Sequence, residues 1–390
     1  MKVIRWSLMS LLMTGAVGLV GCNEDGTSTN ATSSTAAETS TLAARKASPF
    51  ESKVRQKNLA SDQTITIDPP LVNAWGLAFD PKTAGIWISV NGSGSAQLFG
   101  EDGLRKTSVL LGVPDPTGVV FNTTKGFDGD DLIFASESGI IVGMQDGGAT
   151  INPRFPAPDA AVYKGLAVTT VRGEPRLFAA DFHGGKIDIL DGNYAPVDAD
   201  GDGIADVLQD PTPHPGFGPF NILAVGEVLI VSYAKQADPT APHDDVRGPG
   251  NGFIDLFDGD GTFIQRLLSG DDHPEISSPW AMALSSDGHE DGSVDLMIGN
   301  FGGPNDGFTP NLDGLINVYE LSRHLKHTTA RFEGHLADRT GAPLNLDGLW
   351  GFIFGNGRNG FGRDDIYFAA GPLDESAGLF GELDFISARR

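Results

Sequence analysis

Cysteine is almost absent from this chain, because Cys22 is the single cysteine in 390 residues. A secreted domain held together by disulfides carries several cysteines, so the folded part has to rely on its hydrophobic core. Basic residues are also scarce: 27 Lys and Arg stand against 51 Asp and Glu, which gives a net charge of −24. Phosphate binding and charge-driven adhesion to anionic lipid both need clustered positive charge. The composition therefore argues against nucleic acid as a partner.

The amino terminus lacks an apolar run long enough to be assigned as a membrane span. The stretch Leu8–Val20 is too short for that and follows the basic residues Lys2 and Arg5, as in a signal peptide. It ends in Leu-Val-Gly-Cys at Cys22, which resembles a bacterial lipobox, in which a small residue precedes a cysteine that is lipidated. We expect residues 1–22 to be a lipoprotein signal peptide. An ordinary signal peptide with a chance cysteine is the alternative.

The segment after Cys22 has the composition of a linker. Residues 23–52 are rich in Ser, Thr and Ala, and they cannot bury enough apolar surface to fold. We predict a disordered tether between a lipid anchor and the folded domain. Asn23, rather than Asp, follows the cysteine, and by resemblance to lipoproteins of bacteria with two membranes this implies transport to the outer membrane or cell surface.

Glycine and proline are abundant, with 52 and 24 residues, and both punctuate turns. A phrase of three short apolar strands separated by polar turns recurs six times. The copies begin at Trp75, Thr117, Gly165, Phe220, Trp280 and Trp350. Their spacing of roughly 40–70 residues is typical of β-propeller blades.

The repeats predict an all-β fold, a monomeric six-bladed β-propeller over residues 53–387. A β-sandwich or a solenoid is the alternative arrangement for such strands. A propeller needs its ring closed. We expect residues 53–68, including the strand-like Thr64–Ile67, to pair into the last blade.

Several phrases are distinctive beyond the repeat itself. They are Asn73-Ala-Trp-Gly-Leu-Ala, Ala180-Asp-Phe-His-Gly-Gly-Lys-Ile-Asp, Ser232-Tyr-Ala-Lys, His243-Asp-Asp, Gly248-Pro-Gly-Asn-Gly-Phe-Ile-Asp, Gly299-Asn-Phe-Gly, Asp347-Gly-Leu-Trp-Gly and Ala370-Gly-Pro. Together they resemble a family of uncharacterised bacterial exported proteins, some with a PEP-CTERM sorting tail. The resemblance spans roughly residues 57–384. It implies a propeller similar to NHL-repeat domains, without an established activity.

In a four-stranded blade, the first strand starts at the end of the propeller where the second strand finishes. Polar residues at these positions should converge on one mouth of the central channel, a common place for a binding site. The predicted ligand-binding candidates are Asn91, Glu137, Asp181, His183, Lys235, His243, Asp244, Asn300 and Asp347. His183 is a candidate general base or metal ligand, with Asp181 assisting it. The alternative is structural, because Asp and Asn at strand ends often bond loop backbone.

An acidic segment near residue 200 has the pattern of a calcium loop. Within the predicted insertion 198–210, carboxylates recur at alternate positions before a glycine turn. The predicted ligands are Asp198, Asp200, Asp202, the carbonyl of Ile204, and Asp206. Gln209 replaces the final Glu of an EF-hand, so the loop looks more like those of dockerin or thrombospondin type-3 repeats. We predict structural Ca²⁺ that pins an insertion joining blades 3 and 4, and a solvated acidic turn is the alternative.

Two functions follow from these patterns. The first is a surface-anchored binding or scaffold protein that recognises a small molecule, glycan or protein at the mouth of the propeller. The second is a metal-assisted hydrolase or lactonase that uses the same mouth. A channel metal held by Asn, Asp and Glu from several blades would favour the enzyme, and a mouth that is empty or plugged by loop side chains would favour binding or scaffolding.

Overall fold

The computed structural model describes residues 53–386 apart from 63–67, 158, 200, 239, 241–242, 286–288, 290–291, 303–310 and 325–326. The predicted signal peptide, Cys22, the tether and Thr64–Ile67 lie outside the described residues. Within the described part, the structure is built almost wholly from β-strands, and no helix in it is long and apolar enough to cross a membrane.

The first three blades are four-stranded antiparallel sheets that follow one another along the chain. Blade 1 contains β2 (Ala74–Asp80), β3 (Gly85–Val90), β4 (Ser95–Phe99) and β5 (Arg105–Leu110). Blade 2 contains β6 (Pro116–Phe121), β7 (Leu132–Ser136), β8 (Ile140–Gln145) and β9 (Thr150–Pro156). Blade 3 contains β10 (Tyr163–Val171), β11 (Glu174–Asp181), β12 (Lys186–Asp191) and the short β13 (Val207–Leu208). Single 3₁₀ turns occupy Asn91–Ser93, Phe127–Gly129 and Asp146–Gly148.

The remaining blades have the same topology, and the last one joins both ends of the domain. Blade 4 contains β14 (Phe217–Val225), β15 (Val228–Lys235), β16 (Gly252–Asp258) and β17 (Phe263–Ser269). Blade 5 contains β18 (Pro279–Leu284), β19 (Val294–Asn300), β20 (Ile316–His324) and β21 (His327–His335). Blade 6 contains β22 (Leu349–Phe354), β23 (Ile366–Ala370) and β24 (Leu379–Phe385), with β1 (Val54–Ser61) as its outer strand.

The six-bladed propeller predicted from the repeats is therefore confirmed. Ring closure uses β1, which pairs antiparallel with β24 from Val54 opposite Phe385 to Ser61 opposite Leu379. Closure within residues 53–68 was expected, and the pairing strand lies in the first half of that range.

The core consists of apolar layers between neighbouring blades. In the described residues, six clusters each combine side chains from two adjacent sheets. The central strands supply these layers because they are covered on both faces: all residues of β3, β4 and β7 are buried. Burial of a large apolar side chain contributes about 1.5–3 kcal/mol, so the stacking of blades stabilises the ring. A seventh cluster lies on the central axis.

Candidate functional site

Each blade contributes one side chain to a ring around the central axis, at the start of its first strand. The members, which we call the axial ring, are Trp75, Thr117, Lys164, Phe220, Trp280 and Trp350. A β-bulge falls at this point of the first strand in all six described blades. A bulge re-aims a side chain and is common next to functional sites.

Aromatic members of the ring form a plug that fills the axis at the mouth. The ring centroids of Trp75 and Trp350 are 3.4 Å apart in a stacked arrangement. Phe301 also stacks on Trp350, with ring centroids 3.7 Å apart. Trp280 packs edge-on against Trp75 and Trp350 at 5.9 and 6.1 Å. Phe182 and Phe220 complete the cluster. The mouth is therefore closed towards the channel by buried side chains.

Beyond the plug, the channel holds a cavity of about 140 Å³ lined by all six first strands. Backbone groups form much of its surface, and Asn221 supplies the one hydrogen-bonding amide side chain among its lining residues, donating to the carbonyl of Trp280 at 2.7 Å. The first strands approach closely here because glycines occupy the crossing points. A Cβ on Gly76 would lie 2.8 Å from the carbonyl oxygen of Thr117, and one on Gly351 would lie 2.6 Å from that of Trp75.

A chain of hydrogen bonds runs around the plug and crosses four blades. The indole of Trp350 donates to Asn73 at 2.7 Å, and Asn73 donates to Asn91 at 3.3 Å. Asn91 donates to Glu137 at 3.1 Å, and the Lys164 ammonium group forms an ion pair with the other Glu137 oxygen. Lys164 also lies 5.2 Å from the ring centroid of Trp75. Both oxygens of Glu137 are thus engaged within the fold.

Charged groups from four blades meet above the plug, and we call five of them the mouth cluster: Asp115, Glu137, Lys164, Asp245 and Glu375. Burial, followed by the charge of Glu137, raises the pKa of Asp115. Burial, followed by the charge of Glu137 and opposed by Lys164, raises the pKa of Glu375 to about 7. The pKa of Asp245 is also raised by burial. The cluster is therefore acidic and partly desolvated, with the Lys164 ammonium group inside it and the Arg247 guanidinium acting on Asp245.

Glu375 reaches the mouth from a strained turn between β23 and β24. Leu373, Asp374 and Glu375 have φ angles of 57°, 55° and 61°, a left-handed run that side-chain-bearing residues adopt at a cost. The carboxylate of Asp347 supports the turn by accepting the N–H of Leu373 at 3.2 Å. Backbone strain of this kind clusters at ligand and active sites.

Asp245 lies beside the hydroxyl group of Ser278, which precedes Pro279 at the start of blade 5. Ser278 is fully buried with φ at 43°. Its hydroxyl counteracts the rise in the Asp245 pKa, but neither Ser278 Oγ nor the buried Asp245 Oδ2 makes a hydrogen bond of normal geometry. Two polar atoms at the mouth are thus buried without satisfied partners, which normally costs free energy.

Of the predicted catalytic candidates, Asp181 is a buried residue that holds a loop. Its carboxylate accepts the backbone N–H groups of Val162 at 3.1 Å and Gly184 at 2.9 Å, and burial raises its pKa. His183 is half-buried in the same loop. Phe182, between them, turns to the axis and joins the plug.

Blade 5 repeats this arrangement. Asn300 is fully buried, and its amide donates to the carbonyl groups of Glu275 and Leu312, both at 2.9 Å. The next residue, Phe301, stacks on the plug. Neighbouring residues of a strand point to opposite sides. The side chains that reach the axis are therefore those of Phe182 and Phe301, each one position after the predicted Asp181 and Asn300.

The other predicted candidates lie at the rim. Lys235 is exposed at the end of β15. His243 Nδ1 is 2.9 Å from Asp244, and both side chains are largely exposed. Asn91 and Glu137 belong to the hydrogen-bond chain, and Asp347 supports the Glu375 turn.

Sequence reasoning missed Lys164, Glu375, Asp115 and Ser278. For Lys164 a signal was present, because alignment of the six phrases places a cation where other blades carry Trp, Phe or Thr.

The acidic loop lies within blade 3, between β12 and β13, rather than between blades 3 and 4 as the sequence suggested. Asp198 accepts the N–H groups of Gly201 at 2.8 Å and Gly203 at 3.0 Å, and Asp206 accepts that of Ala199 at 2.6 Å. Asp200 lies outside the described residues. Among those described, no three His, Cys, Asp or Glu side chains are grouped closely enough to hold a metal ion.

The end of the predicted insertion serves the fold. Asp210 is buried and forms an ion pair with Arg266, which also contacts Asp255 at 2.8 Å. The Arg266 guanidinium lies 3.9 Å from the ring centroid of Phe253. Asp210 thus ties blade 3 to blade 4.

Comparison with known proteins finds no matching family model. The chain is similar to two uncharacterised proteins of Acanthamoeba polyphaga mimivirus. Protein L690 is 28% identical over 344 residues, covering 81% of each chain. Protein R648 is 29% identical over 351 residues, covering 83% of this chain and 77% of its own. These relatives are viral, so the resemblance to bacterial exported proteins stays a prediction.

Solved structures with a similar fold include the apo form of soluble aldose sugar dehydrogenase from Escherichia coli. It has a TM-score of 0.46 and 12% identity, and the match covers 85% of this chain and 99% of that one. The Dos1 propeller has a TM-score of 0.42 and 10% identity, covering 82% and 70%. At these values the likeness bears on neither ligand nor activity.

Proposed function

We propose that this protein is a lipid-anchored, exported propeller that binds a ligand at the mouth cluster. The observation that carries the proposal is the placement of Asp245, Ser278 and Glu375, three buried or half-buried polar groups that the fold leaves without full partners at a shared opening. A concave site with aromatic walls and a few convergent polar groups is typical of ligand binding.

The plug favours binding over the alternative reaction. A metal-assisted hydrolase or lactonase would need polar ligands from several blades gathered on the axis. In the described residues, Trp75, Trp280 and Trp350 occupy that position instead. Asp181, the predicted partner of His183 in catalysis, accepts two loop N–H groups with Oδ1, and its Oδ2 lies 3.9 Å from Lys186 Nζ.

Binding can be followed through the plug itself, because three of the five tryptophans lie directly beneath the mouth cluster. We expect at least one of D-galactose, N-acetylglucosamine, L-lysine, L-arginine and n-butylamine to change the tryptophan fluorescence with a saturable dependence on concentration. Glu375→Gln should weaken that response at least fivefold, because the substituted group lies at the site. Glu174→Gln, on the turn at the opposite end of blade 3, is the control. A saturable response to none of the five probes would contradict the proposal.

The anchor is proposed from the sequence, with lipid on Cys22 and residues 23–52 between it and the propeller. Two or more acyl chains give stable membrane attachment. We expect the full chain, expressed in a bacterium with two membranes, to sediment with the outer membrane and to incorporate labelled palmitate. Cys22→Ser should abolish the label and release the protein from the membrane fraction. Retention of the variant in that fraction would exclude the lipid as the anchor.

Calcium binding at residues 198–206 is likewise proposed, with Asp198, Asp200, Asp202, Asp206 and the carbonyl of Ile204 as ligands. Support comes from the ligand spacing and from the loop backbone, which already folds around the Asp198 carboxylate. The ion would stabilise the connection between β12 and β13.

We expect CaCl₂ to raise the melting temperature of the wild-type protein relative to EGTA, because an ion that binds only the folded state stabilises it. The double variant Asp202→Asn/Asp206→Asn should lose this increase and should show no heat of Ca²⁺ binding by calorimetry. Asp258→Asn, which changes an acidic β-turn in blade 4, is the matched control. Equal responses of all three proteins to Ca²⁺ would refute the assignment.

A further inference from the structure

The charge balance at the mouth defines the kind of ligand that it can accept. In the mouth cluster, four carboxyl groups meet the ammonium group of Lys164, and the guanidinium of Arg247 also acts on Asp245. Glu137 already uses both oxygens, on Asn91 and Lys164. When they are ionised, the remaining carboxyl groups therefore present excess negative charge to a ligand at the mouth.

The atoms that lack a hydrogen bond of normal geometry can accept one: Asp245 Oδ2 as a carboxylate oxygen, and the Ser278 hydroxyl, which can also donate. Asp245 Oδ2 and the hydroxyl of Ser278, a fully buried side chain, lack hydrogen bonds of normal geometry. The carboxyl group of Glu375 makes no hydrogen bond to any residue that the structure describes, although its backbone N–H bonds Gly371 at 3.1 Å. A ligand that donates hydrogen bonds and carries positive charge complements these oxygen atoms when the carboxyl groups are ionised.

The environment already accommodates such a group. The ammonium of Lys164 lies over the faces of Trp75 and Phe182, with centroid distances of 5.2 and 5.7 Å, and cations are attracted to aromatic faces. A bare metal ion fits less well, because the described carboxylates are not gathered into a set of three at coordinating distances.

We propose that the mouth cluster binds a protonated amine or a guanidinium group, which Asp245 and Glu375 receive as carboxylates and Ser278 as a further acceptor. This inference rests on the proposed binding function and specifies its ligand class. The cation is either that of a small free molecule or that of a Lys or Arg side chain on another protein.

The test uses the full chain in a non-ionic detergent, with n-butylamine as the cation and 1-butanol as its uncharged counterpart. We expect saturable binding of n-butylammonium at pH 8 and none of 1-butanol. Asp245→Asn and Glu375→Gln should each weaken binding at least tenfold. Asp374→Asn, an exposed neighbour in the same turn, should leave it unchanged. Thermal unfolding of each variant checks that it folds, and either folded variant suffices for the comparison.

The dependence of n-butylammonium affinity on pH is a further test, because a purely structural role of Glu375 would not change it. An alkylammonium group stays charged from pH 6 to 8, whereas Glu375 has its pKa raised to about 7 with Glu137, Lys164, Asp244 and Asp245 as the charged groups that face it. Affinity should therefore rise about tenfold from pH 6 to pH 8. The profile of Glu375→Gln should be shallower than that of the wild type, because Asp245, whose pKa is also raised by burial, is then the carboxyl group left to titrate at the site.

The possible results separate this inference from the one on which it rests. Saturable binding of D-galactose but not of n-butylammonium, lost in Asp245→Asn, would overturn the ligand class and keep the mouth as a binding site. Displacement of n-butylammonium by CaCl₂ at equal concentration would overturn it in favour of a metal. Equal affinity of n-butylammonium for the wild type, Asp245→Asn and Glu375→Gln would show that the cation binds adventitiously, outside the mouth cluster. Tighter binding of N-acetyl-lysine methylamide than of n-butylamine would identify a protein side chain as the source.

Discussion

A chain that begins at residue 63 should lose on the order of 5 kcal/mol of unfolding free energy relative to a chain that begins at residue 50. The deletion removes β1 and with it the backbone ladder to β24, the buried side chains of Val54 and Ala60, and the ion pair of Lys57 with Glu382 at 3.2 Å. Blade 6 would keep three strands and expose β24 as an unpaired edge, which promotes aggregation. Equilibrium urea unfolding and light scattering measure the two effects.

Two comparisons show whether the pairing of β1 with β24 is responsible for the lost stability. A synthetic peptide of residues 53–62 should restore much of the lost stability when it is added in trans. Gln56→Ala and Asn58→Ala, on the exposed face of β1, should leave unfolding nearly unchanged. If the shorter chain unfolds at the same urea concentration as the longer one, closure by β1 does not stabilise the ring.

Trp350→Ala is the point substitution with the largest expected effect, a loss of about 4 kcal/mol. Trp350 is only 2% exposed, and its ring stacks between those of Trp75 and Phe301. Truncation leaves a cavity on the axis and removes the donor to Asn73. Urea unfolding measures the loss, and near-ultraviolet circular dichroism reports the broken stacking.

Trp350→Phe is the matched variant, because it keeps an aromatic ring and removes only the indole N–H and part of the contact area. We expect it to lose about half as much as the alanine variant. Leu373→Ala, at an exposed position of the mouth, should have little effect. A cost of less than about 1 kcal/mol for Trp350→Ala would mean that the plug contributes little to stability.

The fold could be predicted because central strands are covered on both faces and therefore appear as continuous apolar runs. All six predicted phrase starts fall within the first strand of a blade, for example Trp75 in Ala74–Asp80 and Trp350 in Leu349–Phe354. Apart from the closing segment, outer strands were not predicted. β5, with the sequence RKTSVL, is half-exposed along its length, and β13 has only two residues, so neither has an apolar signature.

The site was predicted in part, for two physical reasons. The convergence on one mouth follows from topology, which is why Asn91 and Glu137 were found. Side-chain direction depends on strand parity, and an error of one residue reverses it, as at Asp181 and Asn300. Glu375 could not be assigned, because a strained turn brings it in from blade 6 and no local pattern encodes that position.

The pairing of β1 with β24 in blade 6 also determines when the ring can form. Arg55 and Asp384, which pair across these two strands, are 329 positions apart, so β1 has no partner until the last strand has been synthesised. Pairing over such a separation is slow to find. During synthesis the nascent chain therefore carries its closing strand unpaired while the intervening strands are made. The ring can close only after β24 has been added.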